Sequence, residues 1–361
     1  MSGNVSMTAT KILAIDIGGS KLLTALVDVR NAKEQGLPKI SGQARRELGR
    51  NIGKKELLTV IRSAVDETLK LTSVDWDEIS AIGATIPGVA DPKRGYWIYA
   101  PFSGIRDFAL GDELQCLYKK RVFADNDVNA CAWGEKIFGV CHEVENYLWV
   151  TISNGIGGGL VLNGQIYPGC FSGAAEIGHF NVVPGGYSCG CGNHGCLETV
   201  AAGPGIVHRY YDYISLFNKN SLANEEQVEL KNGYVEYIKT QKSHNGDVQG
   251  NELLTAAALA TEARNGNPLA RLVFHETGCH LGRAFAWAAN LINPEKIVVG
   301  GGVVGAFDLF YPSMWKVFQE NLFKQVNQSL CIAKTALGYE AGLLGGTAIA
   351  FEFPHSGLIS N

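Results

Sequence analysis

The sequence predicts an α/β fold made of two similar domains. An apolar run, a glycine-rich turn and a second apolar run follow one another twice, first around Asp16 and again around Asn154. The 361 residues, 46% of them hydrophobic, are enough to bury one or two sizeable cores. This internal repeat favours two α/β domains that face each other.

The first half of the chain predicts alternating strands and helices. Residues 12–16 form a short apolar run that stops at a glycine pair, which indicates a buried strand, and residues 22–29 predict its hairpin partner. Apolar residues recur at helical spacing over residues 54–71. The other predicted elements are a strand over 79–86, a strand over 121–124 and a helix over 129–138.

The second half repeats the pattern and then departs from it. A strand over 147–153 ends in a glycine-rich turn, and residues 160–162 predict the return strand. The polar, charged stretch 212–250 is interpreted as an insertion with loop character. The remaining predicted elements are two helices over 253–290 broken near 266–268, a strand over 296–299 and a closing helix over 341–351.

Composition and charge narrow the class of protein. The net charge of −4, without a basic run, disfavours a nucleic-acid partner. No apolar run approaches the roughly 18–20 residues of a membrane helix, and the polar N-terminus has no signal-peptide pattern. We therefore expect a cytoplasmic protein without a membrane partner. Six of the nine cysteines lie in scattered segments and are interpreted as core residues: Cys116, Cys131, Cys141, Cys170, Cys279 and Cys331.

The other three cysteines predict a metal site. His179 precedes Cys189, Cys191 and Cys196, and three thiolates with one imidazole form a common ligand set for structural zinc. Interleaved glycines would let the backbone fold tightly around one ion. The alternative is a set of unrelated buried thiols. A disulfide across a single residue would be strained, which disfavours a Cys189–Cys191 bridge.

Three glycine-rich segments are candidate ligand loops. In the turn from Asp16 to Lys21, Gly18 and Gly19 would let backbone N–H groups approach a phosphate, Ser20 adds a hydroxyl, and Asp16 can hold Mg²⁺ through water. The alternative is an ordinary hairpin turn. Residues 155–159 are a second candidate cradle, and the strand-like run after them argues against a dinucleotide fingerprint. Residues 300–302 follow a strand, where bare glycine would admit a flat ring; the alternative is a simple strand–helix turn.

The cluster from Asp125 to Asn129 lies between a predicted strand and a predicted helix. Asp127 could accept the proton of a substrate hydroxyl during phosphoryl transfer, and Asn126 could bind a neighbouring hydroxyl. Aspartate and asparagine are also favoured helix N-caps. One of these residues is therefore expected to cap the helix instead.

Taken together, these motifs resemble those of the ROK family, the bacterial sugar kinases and sugar-responsive repressors of the actin-like ATPase superfamily. The resemblance runs from Ile12 to about Phe351. It is carried by DIGGSK at 16–21, IPGVAD at 86–91, NDVNA at 126–130, EIGH at 176–179 and CGCGNHGCLE at 189–198. It implies a two-domain, ribonuclease H-like fold with an interdomain cleft and a structural zinc site.

The resemblance also implies roles for single residues. Asp127 is the catalytic base that deprotonates a sugar hydroxyl, usually O6. The implied sugar ligands are Asn126, Glu176, His179 and Glu198. The implied nucleotide residues are Asp16, Gly18, Gly19, Ser20, Lys21, Asn154, Gly155, Gly157 and Gly158, with Gly300, Gly301 and Gly302 near the adenosine. The implied zinc ligands are His179, Cys189, Cys191 and Cys196, and the implied cofactors are ATP, Mg²⁺ and Zn²⁺.

Domain limits and assembly follow from the same resemblance. An N-terminal domain would hold residues 11–127 together with a C-terminal helix at about 341–361. A larger domain over 128–340 would hold the second phosphate loop, the zinc site and the adenosine segment. The partners would be a sugar and ATP, and the assembly a homodimer.

The sequence departs from the family pattern in three motif segments, and its 212–250 insertion is also longer than usual. Ser153 and Asn154 replace a Gly-Thr pair in the second phosphate loop, which leaves nucleotide affinity and donor choice open. Ala175 stands where glycine usually precedes the EIGH motif. In residues 101–106, Phe102, Ser103 and Ile105 occupy a segment that often has Asn and Trp, so the identity of the sugar is not inherited.

Two alternatives to a hexose or N-acylhexosamine kinase remain at the level of sequence. A sugar-sensing regulator of the same family would carry a winged helix-turn-helix before the first phosphate loop. The eleven residues before Ile12 leave no room for one. A sugar sensor that has lost catalysis is compatible with the altered Ser153-Asn154 pair, and the presence of Asp127 and Asp16 argues against it.

Overall fold

The computed structural model describes residues 11–30, 36–49, 51–100, 103–219, 222, 224–245, 254–325, 327 and 329–352. These residues pack as two compact units. The first unit takes the residues up to 149, those from 158 to 175 and those from 332 onward; the second takes 150–157 and 176–331. Residues 128–149 thus pack with the first unit, and the domain limits inferred at 127/128 and near 341 stay a prediction.

The first unit is built on a mixed five-stranded sheet. Its strands are β1 (Lys11–Ile17), β2 (Lys21–Asp28), β3 (Lys39–Glu47), β4 (Ile79–Ile86) and β8 (Arg121–Asn126), in the order β3-β2-β1-β4-β8. The β1–β2 and β2–β3 pairs are antiparallel, whereas β4 runs parallel to both β1 and β8. Because β1, β4 and β8 are parallel, the residues at their carboxyl ends, including Asp16, Thr85 and Asn126, meet at one edge of the sheet.

The apolar runs of the first half fold as predicted, and three of its strands, β1, β2 and β4, are buried on both faces. Strands β1 and β2 bury nearly every side chain between their ends. Helix α1 (Lys54–Thr72) packs on β2 and β3 through Leu57, Ile61 and Val65. A small antiparallel sheet of β5 (Val89–Asp91), β6 (Tyr96–Tyr99) and β7 (Arg106–Phe108) follows β4, and α2 (Leu110–Tyr118) leads into β8.

Two helices of the first unit hold the edge where the parallel strands end. Helix α3 (Asp127–Phe138) begins directly after β8, and α10 (Ala341–Phe351) packs on α3 and on β4. Glycine makes this packing close: a Cβ atom on Gly83 would lie 1.8 Å from the carbonyl oxygen of Gly346. The predicted closing helix over 341–351 is confirmed. Its own glycine Gly345 is also required by packing, because a Cβ atom there would lie 2.6 Å from the backbone of Ala130.

The second five-stranded sheet has the order β11-β10-β9-β12-β13. Its strands are β9 (Tyr147–Ile152), β10 (Ile156–Leu162), β11 (Gln165–Ile166), β12 (Lys296–Gly300) and β13 (Cys331–Lys334). The helices of the second unit are α4 (Leu197–Ala201), α5 (Gly203–Asn218), α6 (Glu225–Asn245), α7 (Ala256–Arg264), α8 (Pro268–Ile292) and α9 (Phe307–Asn321). None of the described helices is both long enough and apolar enough to cross a membrane.

The predicted break between α7 and α8 is confirmed, and its cause is local. The Asn267 side chain accepts hydrogen bonds from the backbone N–H groups of Leu269 and Ala270, and Pro268 occupies the first turn. Asparagine before proline is a strong start signal: the asparagine oxygen accepts from N–H groups of the first turn, which have no partner within the helix, and proline has no N–H that needs one.

The loop character predicted for residues 212–250 is wrong for the described part of that stretch. Helix α5 continues to Asn218, and α6 spans Glu225–Asn245. Lys231 donates a hydrogen bond to the carbonyl of Phe217, and the Tyr237 hydroxyl donates to Glu262. Glutamate, glutamine and lysine favour helix without an apolar stripe, so the polarity that suggested a loop did not exclude a helix.

Candidate functional site

The predicted zinc ligands converge in the second unit. One ligand atom from each of His179, Cys189, Cys191 and Cys196 lies within 4.8 Å of the others. The Sγ atoms of Cys191 and Cys196 are 3.7 Å apart, and Cys189 Sγ is 3.6 Å from His179 Nδ1. Zn–S bonds of about 2.3 Å in a tetrahedron place two sulfurs roughly 3.8 Å apart. The donor set and its spacing therefore fit one zinc ion.

The backbone around these cysteines explains the glycines between them. The Cys189 N–H donates to Asn193, and the Gly192 N–H donates back to Cys189, which closes a tight turn. Gly195 has φ +74°, and a Cβ atom there would lie 1.7 Å from the carbonyl oxygen of Val183. Only glycine fits this position, so the spacing of the thiols depends on it.

His179 presents its two ring nitrogens to different neighbours. Nδ1 faces Cys189, while Nε2 lies 3.8 Å from Glu176 Oε2. Burial raises the pKa of Glu176, His179 lowers it, and the negative charge of Glu198 raises it further. The structure thus brings Glu176, His179 and Glu198, all predicted sugar ligands, into one charged group of the second unit.

Glu198 also contacts the predicted second phosphate loop. Its Oε2 atom accepts a hydrogen bond of 2.9 Å from the backbone N–H of Ile156. The turn that joins β9 to β10 is closed by Ser153 N–H donating to Gly155, and the N–H of Gly203 donates to the Ser153 carbonyl. Two helix starts, those of α4 and α5, therefore hold this turn.

The glycine run of this loop divides into two parts. Asn154 and Gly155 lie in the turn, with Asn154 exposed, whereas Gly157 and Gly158 lie inside strand β10. A Cβ atom on Gly158 would be 2.4 Å from the carbonyl oxygen of Ala175. Gly158 is therefore required by packing of the strand, a role that the sequence pattern did not distinguish from a phosphate contact.

The predicted adenosine segment adjoins that turn, because β12 and β9 are neighbours in the sheet. Gly301 has φ +88°, and its Cβ atom would lie 2.5 Å from the Ile152 carbonyl oxygen. Gly302 is exposed, and a Cβ atom built on it would have Ser153 Oγ as its nearest contact, at 3.8 Å. Gly300 is buried at the end of β12 and Gly301 is partly exposed, so Gly302 is the most accessible of the three.

In the first unit, the β1–β2 turn has the geometry of a ligand loop. Gly18 N–H donates to the Lys21 carbonyl, and Gly19 and Ser20 are exposed at the tip. At the end of β1, Asp16 Oδ1 accepts a 2.7 Å hydrogen bond from the Thr85 hydroxyl. Burial raises the pKa of Asp16, and the Thr85 bond and Lys21 lower it.

Two residues beside Asp16 were missed by the sequence analysis. Thr85 is the penultimate residue of β4 and pairs with β1, and Gly342 is the second residue of α10, with a Cβ position only 2.4 Å from the Asp16 carboxyl group. Thr85 directly precedes the IPGVAD motif at 86–91, and this position beside a motif is the only feature of the sequence that points to it. Gly342 lies over 300 residues from Asp16 in sequence, and nothing local indicates that contact.

Asp127 occupies the first turn of α3 and is partly buried. Its Oδ1 atom accepts hydrogen bonds from Asn126 Nδ2 and from the Val128 N–H, each 3.0 Å long. These bonds lower the pKa of the carboxyl group, but burial and the negative charge of Asp16 outweigh them and raise the pKa of Asp127 to about 7. A carboxyl group with this pKa can accept a proton near neutral pH.

Asn126 is the N-cap of α3, as the alternative interpretation of the cluster anticipated. Its Oδ1 atom accepts from the N–H groups of Val128 and Asn129, and its Nδ2 atom donates to Gly88 and Asp127. An asparagine amide has two donor hydrogens and two acceptor lone pairs, so these four bonds fill its capacity. A sugar hydroxyl would have to replace one of them.

The segment with altered family residues is partly described. Pro101 and Phe102 lie outside the described residues. Ser103 and Ile105 are buried in the first unit, where the Ile105 N–H donates to Ser103 Oγ.

Comparison with known proteins identifies the family. The family model described as "ROK family" matches residues 12–352. A glucokinase from Halalkalibacterium halodurans is 34% identical over 291 residues, which cover 80% of this chain and 82% of the relative. The DNA-binding transcriptional dual regulator NagC of Escherichia coli is 29% identical over 266 residues. These cover 74% of this chain and 59% of the regulator.

The fold leads to the same family. A ROK family glucokinase from Streptomyces griseus, solved in complex with glucose and AMPPNP, superposes with a TM-score of 0.74 and 27% sequence identity. The match covers 95% of this chain and 99% of that structure. The mixed α/β architecture predicted from the sequence is thus confirmed as the actin-like ATPase fold. The chain belongs to the ROK family, and the predicted class of enzyme, an ATP-dependent sugar kinase, is confirmed with it.

Proposed function

We propose that this chain phosphorylates a hexose or N-acylhexosamine at its O6 hydroxyl, with Mg-ATP as donor and Asp127 as general base. The observation that carries the proposal is the Asp127 carboxyl group. It is partly buried at a helix start and has a pKa raised to about 7. A base whose pKa lies near the working pH is largely deprotonated and still binds a proton strongly enough to remove it from the substrate hydroxyl.

Proton transfer to Asp127 accompanies phosphoryl transfer. Both described hydrogen bonds to the carboxyl group fall on Oδ1, so Oδ2 is assigned to take the proton of the attacking hydroxyl. The sugar oxygen forms a bond to the terminal phosphorus, the bond from that phosphorus to its bridging oxygen breaks, and ADP leaves. Little covalent chemistry falls to the protein, so positioning and charge neutralisation supply most of the rate.

Three side chains of the second unit are assigned to the sugar. Glu176 and Glu198 accept hydrogen bonds from ring hydroxyls, and His179 Nε2 faces the same group while Nδ1 faces the thiols. Asn126 is assigned chiefly to hold Asp127, because its four hydrogen bonds are already used. A direct Asn126–sugar contact remains a prediction.

The nucleotide is assigned to the glycine-rich turns, where a ligand can approach the backbone. Gly18, Gly19, Ser20 and Lys21 in the first turn, and Asn154 and Gly155 in the second, would contact phosphates; Gly157 and Gly158 continue the second segment as strand. Gly302, with Gly300 and Gly301 behind it, would admit the adenosine. Asp16, supported by Thr85, would hold Mg²⁺. Bound Mg-ATP supplies the phosphoryl group and partly neutralises its charge.

Zinc is proposed as a structural ion held by His179, Cys189, Cys191 and Cys196. The four ligand atoms fit a closed tetrahedral site with no position left for substrate. In that role the thiols fix the orientation of the His179 ring, and with it the direction of Nε2. A homodimer, a cytoplasmic location and the lack of a nucleic-acid partner stay predictions.

The test is a direct assay of ADP release with Mg-ATP over a panel of sugars. Glucose, mannose, fructose, allose, N-acetylglucosamine and N-acetylmannosamine would be compared. Asp127→Asn should bind the sugar and lose 10²–10⁴-fold or more of the turnover, since that is the usual contribution of a general base. Asp112→Asn is the matched control: Asp112 is an exposed carboxylate in the first turn of α2 and should keep full activity.

The outcomes separate the alternatives. Turnover of one sugar that Asp127→Asn abolishes supports the kinase and names its substrate. Full activity of Asp127→Asn would refute the assigned base. Sugar binding without turnover by the wild type would favour a sensor that has lost catalysis and direct attention to Ser153 and Asn154.

A further inference from the structure

One carboxylate of the second unit contacts the predicted phosphate loop and is also assigned to the sugar. Glu198 Oε2 accepts the Ile156 N–H at 2.9 Å. The same oxygen lies only 2.5 Å from the position that a Cβ atom on Gly155 would occupy. The carboxyl group therefore rests against bare backbone at Gly155 and is bonded to the next residue of the loop.

We propose that Gly155 is a positioning residue for sugar recognition: it leaves room for Glu198 to bond the Ile156 N–H, and this contact couples sugar affinity to the second phosphate loop. The proposal rests on the proposed function for the assignment of Glu198 to the sugar. The shape of the second phosphate loop would thereby set the orientation of the Glu198 side chain that binds the sugar.

The anchoring of both partners makes the contact specific. Glu198 lies in α4 directly after the thiol cluster, and Arg209, itself buried, donates from Nε to the carbonyl of Val200 in the same helix. On the other side, the Gly203 N–H fixes Ser153. With both backbones held, the Glu198 side chain is the movable part of the contact.

This geometry predicts what Gly155→Ala does. Gly155 has no positive φ in this structure, so alanine is compatible with its backbone. The clash falls on the far end of a flexible side chain, so Glu198 should move while the fold is kept. Losing the oriented carboxylate removes one charge-assisted hydrogen bond to a sugar hydroxyl, which corresponds to roughly ten- to hundred-fold weaker sugar binding.

The coupling also acts in the other direction. Glu198→Ala leaves the buried backbone N–H of Ile156 without this acceptor, so the loop should loosen and bind AMPPNP several-fold more weakly in the absence of sugar. Glu198→Gln retains an amide oxygen that can accept from Ile156. It should therefore keep the wild-type AMPPNP affinity while binding sugar weakly.

The experiment measures equilibrium binding by calorimetry, with the sugar that the activity panel selects and with AMPPNP, each alone. The variants are Gly155→Ala, Glu198→Ala and Glu198→Gln. The matched control is Gly305→Ala, a glycine of the same unit whose Cβ would meet nothing within 4 Å. Thermal unfolding of each variant checks that the fold is kept.

Weaker sugar binding by Gly155→Ala without nucleotide, together with rescue of AMPPNP affinity by Glu198→Gln, supports the coupling. Unchanged sugar affinity in a folded Gly155→Ala protein would overturn it, as would equal AMPPNP affinity in wild type and Glu198→Ala. Failure of the wild type to bind any sugar would instead refute the proposed function, so the two failures are distinguishable.

Discussion

The pH dependence of catalysis tests the environment of Asp127 directly. With a pKa raised to about 7, the carboxyl group is about 90% ionised at pH 8 and about 10% ionised at pH 6. If Asp127 is the base, kcat/KM for the sugar should fall about tenfold between these values. A carboxyl group at the ordinary aspartate pKa of about 3.9 would change its ionisation by about 1% over the same range.

The assay is a direct measurement of ADP at fixed Mg²⁺, with kcat/KM for the sugar recorded from pH 5.5 to 8.5. Activity measured at pH 8 after exposure to each lower pH separates titration from loss of enzyme. A flat profile through pH 6 would refute the reasoning, because it would mean that burial and Asp16 do not hold the carboxyl group protonated.

Stability provides a second measure of the same pKa. A carboxyl group whose pKa is higher in the folded than in the unfolded chain binds its proton more tightly when folded. Its contribution to stability is present at acid pH and is lost as the pH rises to about 7. Asp127→Asn should therefore raise the Tm more at pH 8 than at pH 4. An equal Tm difference at both values would contradict the assigned shift.

Four further substitutions have expected outcomes. Asn126→Asp keeps the helix cap but adds a charge beside Asp127, so the midpoint of the pH profile should move to higher pH; an unchanged midpoint counts against it. Ala175→Gly should stabilise the chain by about 1 kcal/mol in urea unfolding, because Ala175 has φ +63°; lower stability would contradict this. Cys191→Ser should lose zinc, measured by metal analysis, and weaken sugar binding together; normal sugar affinity without zinc would break the link. Gly83→Ala places a Cβ atom 1.8 Å from a backbone oxygen of α10. It should therefore lower the free energy of unfolding in urea by on the order of 3 kcal/mol or more. Stability near that of the wild type would contradict the packing described.

Local signals account for most of the elements that the sequence predicted correctly. Strands β1 and β4 are apolar runs stopped by glycine and by proline, and α8 starts at an asparagine–proline pair. These features act within a few residues, so sequence alone resolves them. Helix α6 was missed because it has no apolar stripe, and its contacts with distant residues, such as that of Tyr237 with Glu262, do not show in a local pattern.

The same distinction between local signals and long-range contacts applies to the candidate site. The thiol cluster was predictable because its ligands are close in sequence and their chemistry is distinctive. The cap role of Asn126 was left open, since the same Asn-Asp pair suits both a helix start and a sugar contact. Its contact with Gly88 and the Asp16–Thr85 bond join distant segments and required the structure.

The glycines of the motifs have a meaning beyond phosphate binding. In each unit one carboxylate with a proposed role lies against a glycine: Asp16 is 2.4 Å from the Cβ position of Gly342, and Glu198 is 2.5 Å from that of Gly155. A side chain at either glycine would displace an acidic group. The two sites should respond differently, because Asp16 is short and held by Thr85, whereas Glu198 is long and can swing away. Gly342→Ala is therefore expected to lower stability as well as activity, and Gly155→Ala to change affinity in a stable protein. Glycine in these motifs thus positions carboxylates as well as admitting ligands.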